Sequence, residues 1–290
     1  MFTTLKSLAA NKRLLKELIV RDLKARYVGS SMGFFWSVVF PVLNLFVYMF
    51  VFNVILRMRW HDAPLPGEVP LIMLTGILVW AAFSETVSRT TNTLVENANL
   101  IQKVVFPSEV LPVYLTGSSL VNMVFGVAVT IVGVFYYGYV NPEPIDYEAL
   151  RLTLEPGEPM PRPFKLGISL LSLPVLFLIQ GIFTIGLGYF LATLNLLLRD
   201  TYHLVGVFLT VWMFGTPIFY PEDMVVNAGY GWILWLNPMH WLIDSYREAI
   251  IYGAWPSLAS VGAFAGVAVV TFGLGAAFFR SQKDRFPDLL

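Results

Sequence analysis

The side chains able to do chemistry are few and scattered. His61, His203 and His240 are the only histidines, lie far apart, and share no metal-ligand spacing with a pair of carboxylates. The chain has no cysteine, which excludes disulfides, thiolate nucleophiles and Cys-ligated metals. No G-x-x-x-x-G-K-[ST] loop is present, so no run of backbone N–H groups can cradle ATP, and any ATP energy must come from a partner. The one G-x-S-x-G string, Gly29-Ser30-Ser31-Met32-Gly33, lies between a basic segment and an apolar run and not after a strand, so it is no nucleophile elbow, and Asp and Glu fall almost entirely at the edges of apolar runs, which disfavours a membrane-embedded hydrolase or glycosyltransferase. The expectation is a chain with no catalytic residue, no metal and no cofactor of its own. Glu85 and Arg89 stand apart, one helical turn from each other within or at the end of an apolar run. An unpaired charge at the centre of a bilayer costs at least ~2.5–3.5 kcal/mol, so the two are expected to neutralise each other. Such a pair either faces a helix interface or aqueous path and holds a resting conformation, or it snorkels to the headgroups.

The elements that must position these groups are membrane spans. A hydrophobic share of 57%, a charged share of 13% and a mean hydropathy of +0.68 lie outside the range of soluble domains, where about a quarter of residues are charged. The zero formal net charge gives no reason to expect a nucleic-acid partner. Long apolar runs at 34–56, 71–91, 113–137, 166–197, 205–219 and 261–279 predict six transmembrane helices, since ~20 apolar residues cross ~30 Å of hydrocarbon. The fourth run is over-long and is expected to tilt or to start before the membrane. Residues 224–255 hold two apolar pieces broken by Asn237-Pro238, each too short to cross. They predict a re-entrant or interfacial helical hairpin before the last span, tolerated only where protein or an aqueous cavity covers its backbone. The fold class is therefore an all-α integral membrane protein in one domain over 1–290: a cytoplasmic interface helix in 1–33, a six-span bundle in 34–279 and a cytoplasmic tail in 280–290.

Lys and Arg orient the bundle, because short loops rich in them stay cytoplasmic. Lys6, Lys12, Arg13, Lys16, Arg21, Lys24, Arg26, Lys103, Arg199, Arg280, Lys283 and Arg285 share one side of an even-numbered bundle, so both termini are expected to be cytoplasmic. The short apolar stretch near Leu18 is no signal-peptide core, and the N-terminus is expected to be retained. The opposite side receives the Pro-rich segment 141–163, read as a turn-rich external insertion.

Two features suggest work at each end of the spans. Lys12, Lys16, Arg21 and Lys24 with Leu14, Leu15, Leu18 and Ile19 form a helix with a basic and an oily face, suited to an anionic leaflet. Asn44, Tyr48 and Phe52 recur at i, i+4, i+8 on one face of the first span, and Trp80, Ser84 and Ser88 do the same on the second. Planar aromatics and exchangeable hydrogen-bonding groups suit a conduit for sugar. The same residues also suit helix packing and an interfacial aromatic belt.

With these spans in place, five blocks together resemble the transmembrane subunit of type-2 ABC exporters of lipid-linked polysaccharide, the O-antigen and teichoic acid export family. They are Arg21-Asp22-Leu23-Lys24-Ala25-Arg26-Tyr27 through Met32-Gly33-Phe34-Phe35-Trp36 to Pro41; Gly76 and Trp80 through Glu96-Asn97-Ala98-Asn99-Leu100-Ile101-Gln102-Lys103 to Phe106-Pro107 and Leu111-Pro112; Asn195 to Arg199-Asp200; Thr216-Pro217-Ile218-Phe219-Tyr220-Pro221; and Leu236-Asn237-Pro238 with Tyr246-Arg247. The tail from Arg280 to Leu290 resembles the family ending, whereas loop 141–163 is longer and more Pro-rich than the family pattern. The resemblance implies a homodimer in the bacterial inner membrane, bound to two separate ATPase subunits that hold ATP and Mg. It implies that Arg21, Asp22, Lys24, Arg26 and Tyr27, with Glu96, Asn99, Lys103, Phe106 and Pro107, couple to those ATPases. Pro217, Tyr220, Pro221, Asn237, Pro238 and Arg247 would belong to the re-entrant region. Export of teichoic acid, capsule, lipid or drug, and a membrane-embedded glycan-processing enzyme, are the alternatives.

Overall fold

The computed structural model describes residues 2–26, 33–56, 68–103, 106–142 and 162–290, and among them every regular element is helical. Two helices, α1 (Phe2–Ala10) and α2 (Lys12–Ala25), precede the first apolar run. Gly33, at φ 51°, supplies a left-handed turn that suits glycine and opens the short 3-10 turn into α3 (Trp36–Tyr48). A π-helical stretch, Met49–Ile55, prolongs α3. Then come α4 (Glu68–Glu96), α5 (Ala98–Lys103), α6 (Val110–Phe135, continued by a π-helical Tyr136–Val140) and α7 (Leu173–Leu197, led in by a 3-10 turn at Ile168–Ser172). The chain ends through α8 (Thr201–Phe214), α9 (Glu222–Asn227), α10 (Gly231–Leu236), α11 (Pro238–Ile250), α12 (Leu258–Gln282) and α13 (Phe286–Leu289).

Among the described residues, four helices are long and apolar enough to cross a bilayer: Val69–Glu96, Val110–Val140, Ile168–Leu197 and Leu258–Leu289. Two shorter apolar helices, Trp36–Val51 and Thr201–Phe214, occupy the first and fifth predicted runs. The predicted run 205–219 is thus cut short, because Pro217 disfavours helix at Thr216 and the chain leaves α8 at Gly215. At 14 residues α8 spans about 21 Å, less than the hydrocarbon thickness. The expected break at Asn237-Pro238 is present: Asn237 caps α11 by accepting from Met239 N, and Pro238 fills the first helical position, where a missing N–H costs nothing.

Helix α4 is the centre of the bundle, with 67% of its membrane-length window buried against 28% for α12. It packs on α6, α7, α8, α11 and α3, while α7 and α12 form the closest pair. Glycine permits that closeness: a Cβ on Gly186 would lie 2.5 Å from Phe272 Cα, and one on Gly275 would fall on the Gly186 carbonyl. Three buried threonines of α4 are satisfied within their own helix, Thr86 donating to Ala82 O (2.7 Å), Thr90 to Thr86 O (2.8 Å) and Thr91 to Val87 O (2.7 Å).

Candidate functional site: a charge network at one end of α4 and a polar knot toward the other

Helix α2 lies on α6, with Ile19 seated over Gly117, where a Cβ would come within 2.8 Å of the isoleucine tip. That contact presents Asp22 and Arg26, one turn apart on α2, to the polar stripe Glu85 and Arg89 of α4. Arg26 Nη2 donates to Glu85 Oε1 at 2.5 Å and to Ser119 Oγ at 3.3 Å. Both guanidinium nitrogens of Arg89 donate to the Asp22 carboxylate, through Nη1 to Oδ2 at 3.1 Å and through Nη2 to Oδ1. Ser118 Oγ adds a bond to Asp22 Oδ2 at 2.5 Å, and Arg89 Nη1 reaches Glu85 Oε1 at 3.3 Å. The predicted Glu85 and Arg89 pair is therefore half of a four-charge, net-neutral network joining α2, α4 and α6. Burial raises the Asp22 carboxyl, but the bonds from Arg89 and Ser118 and the charges of Arg89 and Arg26 outweigh it and hold the group below its ordinary value.

A cleft of about 160 Å³ opens beside this network between α3, α4 and α6. Glu85, Ser119, Asn122, Ser37 and Asn44 give it polar groups, and Trp36 and Phe40, with ring centroids 4.9 Å apart, give it aromatic faces. Asn44 Nδ2 donates to Phe40 O at 2.9 Å and its Oδ1 accepts from Tyr48 Oη at 3.3 Å. Ser84 and Ser88 are half-buried. Trp80 is brought elsewhere: it is 5% exposed and packs edge-on against Phe83 and against Trp212 of α8.

Farther along α4, toward Glu68, a buried polar knot joins α4, α7, α8 and α11. Asn237 uses its whole side-chain amide, donating to Gly215 O (3.1 Å) and Thr216 Oγ1 (2.8 Å) and accepting from Trp212 Nε1 (2.9 Å) and Met239 N (3.1 Å). Arg247, 4% exposed, donates through Nη2 to Pro217 O at 2.9 Å, and it passes α4 at Gly76, where a Cβ would meet Nη2 at 3.2 Å. Tyr246 Oη donates to Gln180 Oε1 at 2.9 Å, and Gln180 Nε2 in turn donates to Val79 O at 3.2 Å. Tyr220 Oη donates to Phe214 O at 2.5 Å, and Pro221 is buried at the start of α9. His240 Nδ1 lies 3.6 Å from Glu222 Oε1. This contact is longer than a hydrogen bond, and burial lowers His240 to about 4, so it joins a neutral imidazole to a carboxyl that burial raises to about 7.

Of the predicted coupling residues, Arg21 and Lys24 are exposed on α2, as are Glu96, Asn99 and Lys103 around α5. Lys103, Phe106 and Pro107 share a groove with Lys283 and Phe286. Tyr27, the side chain of Phe52, His61 and most of loop 141–163 lie outside the described residues. Sequence reasoning missed Ser118, Ser119, Gln180 and Trp212. The signal available was a hydroxyl pair and a lone amide inside otherwise apolar runs.

The match to known proteins runs through all these elements. A family model described as ABC-2 type transporter covers residues 13–251. The chain is similar to the O-antigen export system permease protein RfbA of Myxococcus xanthus, 30% identical over 99% of both chains. A protein of the same name from Klebsiella pneumoniae is 28% identical over 96% of this chain and 95% of its own. The polysialic acid transport protein KpsM of Escherichia coli is 19% identical over 94% of this chain and 95% of its own. The chain belongs to the ABC-2 type transporter family of membrane proteins.

Proposed function

We propose that this chain is the permease subunit of an ATP-driven exporter that moves a lipid-linked, O-antigen-like polysaccharide across the bacterial inner membrane. The likeness to O-antigen export permeases over nearly the whole of both chains carries this reading. The chain has no phosphate loop, so separate ATPase subunits supply ATP and Mg. Two copies of the chain form the path, with α3 and α8 as the remaining crossings and both termini in the cytoplasm. ATP closes the partner subunits by binding their closed form more tightly, and the push enters through α2 and the 96–107 turn. The charge network passes a movement of α2 to α4 and α6, and the polar cleft at Asn44, Glu85, Ser119 and Asn122 offers exchangeable partners to sugar hydroxyls. Tyr48, Phe52, Ser84, Ser88 and Trp80 are proposed as further contacts along the path, Trp80 through a rearrangement of its α8 packing.

Cells deprived of the chain test this directly. Surface polysaccharide should return when the chain is supplied with its ATPase, and neither alone should suffice. Replacing Tyr48 by Leu keeps apolar volume but removes the flat face that stacks on a sugar, so export per assembled transporter should stay low. Full export by the Leu variant would sink the conduit role of Tyr48, and undiminished surface polysaccharide without the chain would sink the function.

A further inference from the structure

The chain between α8 and α11 is pinned at both ends and lightly held along its middle. At its start Arg247 of α11 donates through Nη2 to Pro217 O at 2.9 Å, and Tyr220 Oη donates back to Phe214 O. At its finish the Asn237 side chain is fixed by Gly215 O, Thr216 Oγ1, Trp212 Nε1 and Met239 N. Between these pins α9 and α10 form one hairpin. Gly229, at φ 82°, makes the left-handed turn, and Tyr230 N donates to Val225 O at 3.0 Å across it. Most of α9 faces away from the bundle: Asp223, Met224, Val226 and Asn227 are exposed, whereas Glu222 and Val225, three residues apart on one face, are half-buried. Helix α9 reaches α11 through Glu222, whose Oε1 lies 3.6 Å from His240 Nδ1, too far for a hydrogen bond.

We propose that the α9–α10 hairpin is a flap latched by a proton on Glu222: the protonated carboxyl rests against α11, and loss of the proton lets α9 lift between its two pins. The groups around the carboxyl give the reason. His240 is kept neutral by burial and by the Arg247 charge, so it cannot compensate a carboxylate beside it. Asp244, one turn beyond His240 on α11, adds a like charge, and Asp223 on α9 and Glu248 on α11 add to it. Arg247 opposes them, but one arm of its guanidinium is committed to Pro217 O. Arg162, on the segment leading to α7, is taken up by Glu248, which it grips with two bonds of 2.7 and 2.6 Å. Burial first, and then these acids, raise Glu222 to about 7. A carboxyl raised in the closed form stabilises that form below its ordinary value, and the latch is released as pH rises through about 7. With both termini cytoplasmic, as proposed above, the hairpin faces the outer compartment and the latch answers to the pH there.

A nitroxide attached once to Asn227→Cys, exposed at the far end of α9 in a chain with no other cysteine, reports the hairpin without the thiol chemistry that makes labelling rates follow pH. In the full chain in lipid nanodiscs, the ratio of mobile to restrained spectral components should rise about tenfold from about pH 5.5 to 8.5, less than a fully buried carboxyl would give because the Glu222 side chain is 38% exposed. Glu222→Gln should keep the restrained spectrum throughout, and Asp244→Asn should move the midpoint to lower pH. Identical spectra at the two pH values overturn the proposal. So does a pH response that survives Glu222→Gln, which would place the proton on Asp244. If Glu222→Gln fails to fold, Asp244→Asn decides, and an unshifted midpoint overturns the latch. All of these outcomes leave the transporter reading standing, since surface polysaccharide tests that separately.

Discussion

Replacing Asp22 by Asn should release α2 from the bundle. The carboxylate accepts from Arg89, Arg26 and Ser118, and it is the better buried of the two acids, with a side chain 11% exposed against 36% for Glu85. Asn keeps the shape but leaves Arg26 and Arg89 facing Glu85 alone, so a neutral cluster acquires one net positive charge. Truncating one partner of a buried charge pair costs ~2–5 kcal/mol, whereas an exposed pair contributes ~0–1 kcal/mol. With the two arginines 18% and 35% exposed, the loss belongs near the lower end of the buried range, about 2 kcal/mol. That shifts the docked-to-undocked ratio of α2 by about 30-fold. Leu18, 7% exposed beneath α2, can report it as Leu18→Cys in a chain with no other cysteine, and the modification rate by a hydrophilic maleimide should rise by about that factor. Adding Arg89→Gln removes the stranded charge, so the double variant should label more slowly than the sum of the single effects requires. The Asp22 carboxyl lies below its ordinary 3.8, so its contribution is present above that value and lost only as pH falls through the folded value. The labelling rate of the Leu18→Cys chain, divided by that of a free thiol at each pH because maleimide reacts with the thiolate, should then be flat from about pH 5 to 8. Equal rates for Asp22→Asn and its parent, or strictly additive effects with Arg89→Gln, would refute the network as the clamp on α2.

The other predictions concern the parts α4 holds together. Asn237→Ala removes the cap on α11, about 1 kcal/mol, and strands Trp212 Nε1 in a buried site at a further ~1–3 kcal/mol, so thermal stability in detergent should drop clearly. Asn237→Asp keeps both acceptor bonds but cannot donate to Gly215 O and should recover only part; a neutral Ala variant would deny the knot its role. Gly275→Ala drives a methyl into the Gly186 carbonyl and should destabilise by at least the ~1–3 kcal/mol of ordinary overpacking, whereas Gly266→Ala meets nothing within 4 Å and should be neutral or stabilising by up to ~1 kcal/mol. Equal unfolding temperatures for the two would contradict the α7 and α12 contact. Glu222, raised to about 7 by burial and the nearby Asp244, contributes most in its protonated form, and that contribution fades as pH rises through about 7. Hydrogen exchange of Glu222–Asn227, corrected for intrinsic rate, should therefore speed up from pH 6 to 8, and Glu222→Gln should abolish the change.

What the sequence discloses here follows from range. Apolar runs are local, so α4, α6, α7 and α12 were legible from them, and so was the break at Asn237-Pro238, where proline chemistry acts on its own neighbours. Glu85 and Arg89 announced themselves because they are one turn apart. Their partners Asp22 and Arg26 did not, since the bonds close over 67 and 59 residues and nothing in α2 distinguishes those two charges from the exposed Arg21 and Lys24. The periodicity that put Trp80 on a face with Ser84 was correct as geometry, but a helix at the centre of a bundle is covered nearly all round. Which face meets Trp212 is a tertiary fact. The packing of the C-terminal residues escaped notice for the same reason: Lys283 and Phe286 read as an ordinary polar tail until Glu109 and Leu94 are brought beside them.

The two polar clusters on α4 differ in a way that bears on how it can move. Toward its Glu68 end Gln180, Tyr246, Asn237 and Arg247 are buried, and each of these bonds lost would strand a polar group away from water. In its second half, toward Glu96, Glu85 and Arg89 are about one-third exposed, so water can replace a departing partner at small cost. The hydrophobic effect does not hold helices together within lipid, which leaves packing and these polar contacts to set position. A push on α2 should therefore break and remake contacts at Asp22 and Arg26 first, tilting α4 about the fixed knot near Gly76 and Val79. The cleft runs along α4 from Leu74 to Glu85 and shares Glu85 and Ser119 with the charge network, so a tilt of this kind changes its width.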